Sequence, residues 1–215
     1  MGRNELTFTK IAALMRQHLP EHTPTRRTAV LVPLMETTNG LEVLFQVRSF
    51  DLNWQPGDIC FPGGHYEDGD ETMQNTVVRE TSEELGLPAE CIEVFGKVGA
   101  FNSPLGMEVH IFAGRLHAEM EDIRLDPDEV QECFTVPLPW LIEHQPQRAI
   151  IKHGTKPGDN FPFDLLCGYS DDWKIRQKYP VLFYNYNNRI IWGLTAEVLV
   201  RFLNVIAEKR PKGEK

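Results

Sequence analysis

The chain has 215 residues, of which 22 are Lys or Arg and 31 are Asp or Glu, for a formal net charge of −9. With 41% hydrophobic and 25% charged residues it reads as an ordinary globular protein, long enough for one large domain with a substantial core. The acidic balance argues against a nucleic-acid backbone as the main partner. No apolar run approaches the roughly 18–20 residues of a membrane span, and the first residues lack a secretory apolar core. Cys60, Cys91, Cys133 and Cys167 lie far apart with no CxxC pair, which points to reduced thiols in a cytoplasm rather than to a zinc knuckle or disulfides. The final PKGEK carries no peroxisomal address of the S-K-L type.

In chain order, Phe8, Ile11, Leu14, Met15 and Leu19 recur at helical spacing and predict an N-terminal amphipathic helix over 6–19. TAVLVPL (28–34) and LEVLFQV (41–47) read as a strand pair around the turn-forming TTNG. A loop rich in Pro, Gly and Asp runs from Ser49 to Asp70, with Asp70 the expected N-cap of a following helix. IEVFGKVGAF (92–101) and MEVHIFAGRL (107–116) read as strands joined by NSPLG, and ECFTVPL (132–138) as another that runs into a short helix, PWLIEH. Residues 145–180 show no clear period and read as an insertion or lid, so that the core comprises 27–144 and 181–207 of a single domain. VLFYNY and RIIW form a hairpin around Asn187-Asn188, and Thr195 to Lys209 form a final helix with Val198, Leu199, Phe202 and Ile206 on one face. Strands mixed with flanking helices indicate an α/β or α+β sandwich.

The helix after Asp70 carries RETSEELGL, Arg79 to Leu87. At 3.6 residues per turn Glu80, Glu83 and Glu84 project from one arc, and each like-charge pair opposes the helix by about 0.2–0.5 kcal/mol. A solvated acidic face is the plain explanation for three such glutamates. A cluster binding a hard divalent cation through oxygen is the sharper one. Upstream lies FPGGHYEDGDE (61–71), whose glycines let the backbone approach a ligand closely, so that a carbonyl there completes a metal shell opened by the carboxylates. Val77, Val78, Thr81 and Leu85 fill the adjoining arc for packing.

Together these segments resemble the Nudix hydrolase family. Arg79 through Leu87 match the second half of its signature, with Thr81 at an apolar position and Glu71 at the required distance before Arg79. Gly64 precedes Glu71 by one residue more than the usual spacing, with His65 in between. That longer turn resembles the coenzyme A pyrophosphatase branch, as does the run Arg48-Ser49, Gly57, Phe61-Pro62-Gly63-Gly64, although Asn53 stands where the branch has an inner Arg. The likeness extends through DEVQE (128–132), VPLPWL (136–141) and IWGLTA (191–196).

The resemblance implies an α/β/α sandwich with a mixed sheet and metal-dependent hydrolysis of a nucleoside diphosphate linked to another group, with coenzyme A or an acyl-coenzyme A as the leading substrate. Another nucleotide, such as a dinucleotide, ADP-ribose or a nucleotide sugar, is the alternative, as is a silent regulatory domain. Glu80 and Glu84 are the expected ligands of Mg²⁺ or Mn²⁺, with Glu83 as third carboxylate and the Gly64 carbonyl completing the shell. Arg79 is expected to fix a carboxylate, Glu83 or Glu129 to act as general base, and Arg48, Gly63 and Gly64 to meet the substrate. Arg26 and Arg27 are read as solvating a strand end, and Trp54, Trp140, Trp173 and Trp192 as core packing. A small coenzyme A-like nucleotide is the expected partner, without nucleic acid or membrane, and a homodimer is compatible with the chain.

Overall fold

The computed structural model describes residues 26–104, 106–166 and 168–208, so the expected helix over 6–19 lies outside the described residues. The central sheet starts from a hairpin of β1 (Arg27–Thr37) and β2 (Gly40–Arg48), turned tightly with Thr37 opposite Gly40. Their direct pairing runs only as far as Leu34 opposite Val43. Beyond that point the loop expected from Ser49 onward wedges between them as two short strands, β3 (Ile59–Cys60) and β4 (Gly63–His65). On β2, Gln46 and Val47 pair with Cys60 and Ile59, while on β1, Thr28, Ala29 and Val30 pair with His65, Gly64 and Gly63. Leu31 adds an N–H bond to the Pro62 carbonyl at 2.9 Å, so the backbone groups freed by the splayed hairpin find partners.

On its other edge β1 runs parallel to β6 (Glu108–Leu116), which pairs antiparallel with β5 (Ile92–Asn102). β7 (Val130–Pro137) closes the far side against β2. The result is a mixed seven-stranded sheet. β1 is buried along Ala29–Met35 because both its faces are covered, which is why its sequence is a continuous apolar run. Ala29, Leu31, Met35, Leu44 and Phe112 pack under helix α1 (Met73–Leu85) with Val77 and Leu85. Val30, Val32, Leu34, Phe45 and Ile111 face the other way, toward α3 (Gly193–Glu208) and a second, three-stranded sheet. The mixed sheet is thus flanked by helices on both faces, as the sandwich reading expected.

The cap of α1 falls two residues later than expected. Thr72, not Asp70, is the N-cap, its hydroxyl accepting from the Asn75 N–H at 3.1 Å, because Asp70 is engaged elsewhere. The helix ends at Gly86 in the left-handed region, φ 61°. A short helix α2 (Leu138–Glu143) follows β7 as expected. Residues 145–180 are not without structure: they contain β8 (Gln147–Thr155) and the first half of β9 (Lys174–Tyr186), which pair antiparallel into a projecting arm. β9 continues through Asn187 and Asn188, φ 50° and 63°, into β10 (Arg189–Trp192). Two of the four tryptophans depart from the core-packing expectation, since Trp54 and Trp173 are exposed. Trp140 instead stacks on His144 at 4.2 Å and Trp192 on Phe183 at 5.8 Å.

A β-carbon at Gly86 would lie 2.2 Å from the Arg124 carbonyl oxygen, in addition to the strain of its positive φ. Gly86→Ala is therefore expected to lower unfolding free energy by about 2 kcal/mol or more, read from a denaturant titration. A loss below about 0.5 kcal/mol would show that this junction yields freely.

Candidate active site

The wedge brings Pro62-Gly63-Gly64 against the exposed edge of α1. The Gly63 N–H donates to Glu84 Oε2 at 3.0 Å. A β-carbon on Gly64 would fall 2.3 Å from Glu80 Cδ, and one on Gly63 would fall 2.2 Å from the Ala29 carbonyl oxygen. Both glycines are thus required by close approach, one to a carboxylate and the other to a strand.

The three helical glutamates share an arc but not an environment. Glu84 is buried, the Glu80 side chain is 15% exposed, and the Glu83 side chain is 58% exposed. Burial pushes the Glu84 carboxyl up to about 8, against the pull of the Gly63 amide and Gln46, with Glu129 and Glu80 adding repulsion. Glu80 is raised by burial too, opposed by Arg79 and reinforced by the charges of Glu83 and Glu129.

Arg79 is the hub. Its Nε and Nη2 reach the two oxygens of Asp70 at 3.1 and 3.0 Å, Nη2 also meets Glu80 Oε1 at 3.0 Å and the His65 carbonyl at 3.1 Å, and Nη1 donates to Glu83 at 3.1 Å. The two-pronged bond to Arg79 holds the Asp70 carboxyl down at about 2 and raises the guanidinium further above its ordinary range. Asp70 also accepts the Glu67 N–H at 3.1 Å, so one ion pair ties the turn to the helix.

Glu129 is an exposed loop residue before β7, yet its charge is felt by both Glu80 and Glu84. Backbone bonds carry it there: Arg124 N–H to Leu85 O at 2.8 Å, Asp126 N–H to Glu84 O at 3.2 Å, and Ser49 N–H to Glu129 O at 2.8 Å. Arg48 ends β2, and its Nε donates to the Trp54 carbonyl at 3.3 Å, which folds the 49–57 loop back over the strand. The structure therefore gathers Glu80, Glu84, Glu129, Arg79, Gly63 and Gly64, while Glu83 turns outward onto Arg79.

Two contributors escaped sequence reasoning. The sequence pattern casts Asp70 as a helix cap and Gln46 only as part of a strand. Gln46 is buried, its amide serves Glu84 and Cys60, and its Oε1 has no partner among the described residues. A glutamine set two positions from Leu44 on the helix-facing side of β2 was the available signal, since buried polar groups at a strand centre serve a neighbour. Cys60 and Cys133 flank it in register and are pushed up to about 12 by burial, which leaves them inert as nucleophiles.

Among the described residues no three acidic, His or Cys side chains are already drawn into a single ligand shell. The donor set nevertheless fits a hard divalent cation. It is all oxygen, it is crowded with negative charge that burial penalises, and the Arg79 guanidinium is shared among Asp70, Glu80 and Glu83 without reaching Glu84.

A NUDIX domain profile matches residues 25–154, more than half of the chain. The chain belongs to the Nudix family. Nudix hydrolase 3 of Caenorhabditis elegans is 30% identical over 83% of this chain and 72% of its own length. The peroxisomal coenzyme A diphosphatase NUDT7 of Mus musculus is 30% identical over 88% and 74%. A crystal structure of a MutT/nudix family protein from Enterococcus faecalis shares the fold with a TM-score of 0.50 at 17% identity, covering 96% of this chain and 71% of that one. The protein is accordingly a Nudix pyrophosphohydrolase, of a family that works with divalent metal ions on small nucleotides.

The raised Glu84 pKa makes a prediction for the metal-free Nudix domain. A carboxyl raised from 4.5 to about 8 on folding binds more protons in the native state between those values, so stability falls as pH rises through that window. The melting temperature of metal-free wild type is expected to decline from pH 5 to pH 8 more steeply than that of Glu84→Gln. Parallel profiles would refute the burial argument.

Proposed function

We propose that this Nudix enzyme cleaves the diphosphate of coenzyme A or an acyl-coenzyme A, releasing 3′,5′-adenosine bisphosphate and the matching 4′-phosphopantetheine. The observation that carries this reading is the seat of the Arg48-Ser49, Gly57, Phe61-Gly64 run. The segment resembling the coenzyme A branch is the wedge whose glycines touch Glu80 and Glu84. The name of the mouse relative, a coenzyme A diphosphatase, points the same way.

Glu80, Glu84 and the Gly64 carbonyl would hold Mg²⁺ or Mn²⁺, with Glu83 at the outer side. A bound cation there supplies neutralisation of the diphosphate and polarisation of its phosphoryl oxygens. Water attacks one phosphorus, and a new P–O bond forms as the bridging P–O bond breaks. Glu129 takes the water proton, and the leaving phosphate departs as an anion. Glu129 suits that role better than Glu83, whose carboxylate is held by Arg79 and faces solvent. Arg79, fixed by Asp70, sets the rotamer of Glu80 and anchors the His65 carbonyl, which keeps the glycine turn in place. Arg48, with Nε on the loop, has its remaining guanidinium donors for a phosphate. The half-buried free thiols Cys60 and Cys133 suit a reducing compartment such as the cytoplasm, and no helix among the described residues is long and apolar enough to cross a membrane.

A second reading, a different nucleoside diphosphate derivative as substrate, is favoured by Asn53, which brings no charge where the branch has an Arg. A panel of coenzyme A, an acyl-coenzyme A, NADH, ADP-ribose and nucleoside triphosphates separates the two. Highest kcat/KM on a compound without 3′-phosphoadenosine would discard the coenzyme A reading. Glu80→Gln and Glu84→Gln are each expected to lower kcat by about a hundredfold or more with the fold retained. Glu129→Gln is expected to lose about 10²–10⁴-fold in kcat, and an equal loss in Glu83→Gln with Glu129→Gln unaffected would transfer the base to Glu83.

A further inference from the structure

Strands β8 and β9 carry Arg148, Lys152, Lys174, Arg176 and Lys178 and no acidic residue. The chain outside them is left with 17 Lys and Arg against all 31 Asp and Glu. Register puts Lys152 directly opposite Lys178, and Arg148 opposite Leu182, all on one side of the arm with Ile150 and Pro180. Like charges facing each other across a strand pair destabilise it, and a lone two-stranded ribbon is marginal in water. That side therefore carries positive charge with no acidic residue opposite it on either strand.

The connection between the strands, residues 156–173, has the opposite character. It displays Asp159, Asp164, Asp171 and Asp172, all exposed, against Lys156, together with exposed Leu165, Leu166, Tyr169 and Trp173. Within the arm Lys174 lies over the Tyr169 ring at 3.4 Å, Arg176 donates to Thr155 and Ser170 to Asp172. None of the arm's cations or aspartates forms an ion pair with another described residue. The arm thus has a basic shaft and an acidic, apolar tip, with the opposite charges separated along its length.

We propose that the occupant of this face is a second copy of the chain, the two arms lying antiparallel about a two-fold axis so that each tip covers the partner's shaft. A two-fold contact is self-complementary, so every shaft-to-tip pairing occurs twice. A nucleic acid or an anionic membrane would meet the shaft but be repelled by four aspartates at the tip, and a generic acidic protein would leave the tip uncovered. Only a partner that is itself basic at one end and acidic at the other neutralises both. Ile150, Leu165 and Trp173 then leave water together.

The test is sedimentation velocity on the full chain from sub-micromolar to high-micromolar concentration. A dimer that weakens with added salt is expected. Lys152→Glu with Lys178→Glu should raise its Kd at least about tenfold, as should Asp171→Lys with Asp172→Lys. The four substitutions combined restore the net charge and the complementarity, and should return Kd to near wild type. Circular dichroism and pyrophosphatase activity per protomer are expected to be unchanged throughout, since the arm lies outside the site. Three outcomes would each overturn the proposal: a monomer at every concentration, association indifferent to both reversals, or a combined variant as weak as its parts. A monomer that binds anionic vesicles would overturn it in favour of a membrane partner.

Discussion

A carboxylate can lie flat against a polypeptide backbone only where the backbone has no side chain. In this chain that condition is met at Gly64, where any β-carbon would coincide with the Glu80 carboxylate, and at Gly63, whose N–H is the bond that orients Glu84. The rest of the site follows from holding those glycines still. β1 and β2 separate after Leu34 and Val43, and the segment 59–65 enters the gap, gaining ladder bonds on both sides. A turn anchored to two central strands is far stiffer than a surface loop, so the acidic helix meets a fixed backbone.

Stiffness on the helix side comes from one residue. Arg79 satisfies Asp70, Glu80, Glu83 and the His65 carbonyl with a single planar guanidinium, which Lys could not do with a point charge. Because Asp70 takes two of its donors, Arg79 only partly neutralises Glu80 and does not reach Glu84. The burial of Glu84 near Glu80 and Glu129 is then an arrangement that stability alone would not select. It makes sense as a site in which carboxylates are kept close and partly dry for a cation.

The helical arc of Glu80, Glu83 and Glu84, the strand pairs and the glycine turn were all legible, because each depends on short-range periodicity or on residues with restricted backbone behaviour. What the spacing of the glutamates could not reveal was their unequal depth, from buried Glu84 to exposed Glu83, since depth depends on the wedge that arrives from elsewhere in the fold. Asp70 was misread for a related reason: as an N-cap it needs only local geometry, but a guanidinium nine residues on competes for it and wins with two charged bonds. Glu129 reaches the cluster through backbone bonds between a loop and the end of α1, which leave no mark on composition. The arm was missed because its strands are joined by a long connection instead of a tight turn, so no hairpin signal sits between them.

The sheet also divides the molecule's tasks. Odd and even positions of β1 face opposite ways: Ala29 and Leu31 line the layer under α1, Val30 and Val32 the layer under α3. On β2 the same alternation sends Gln46 toward Glu84 and Val47 toward the apolar layer. Both layers are packed, but the glutamates are confined to the face under α1, and β9 enters the opposite layer through Leu182 and Tyr184. The arm is rooted in the core without touching the glutamates, so its surface is free to diverge in charge while the acidic helix keeps its geometry. A strand period of two, which makes a one-residue slip exchange the faces, is therefore the feature that holds the two tasks apart.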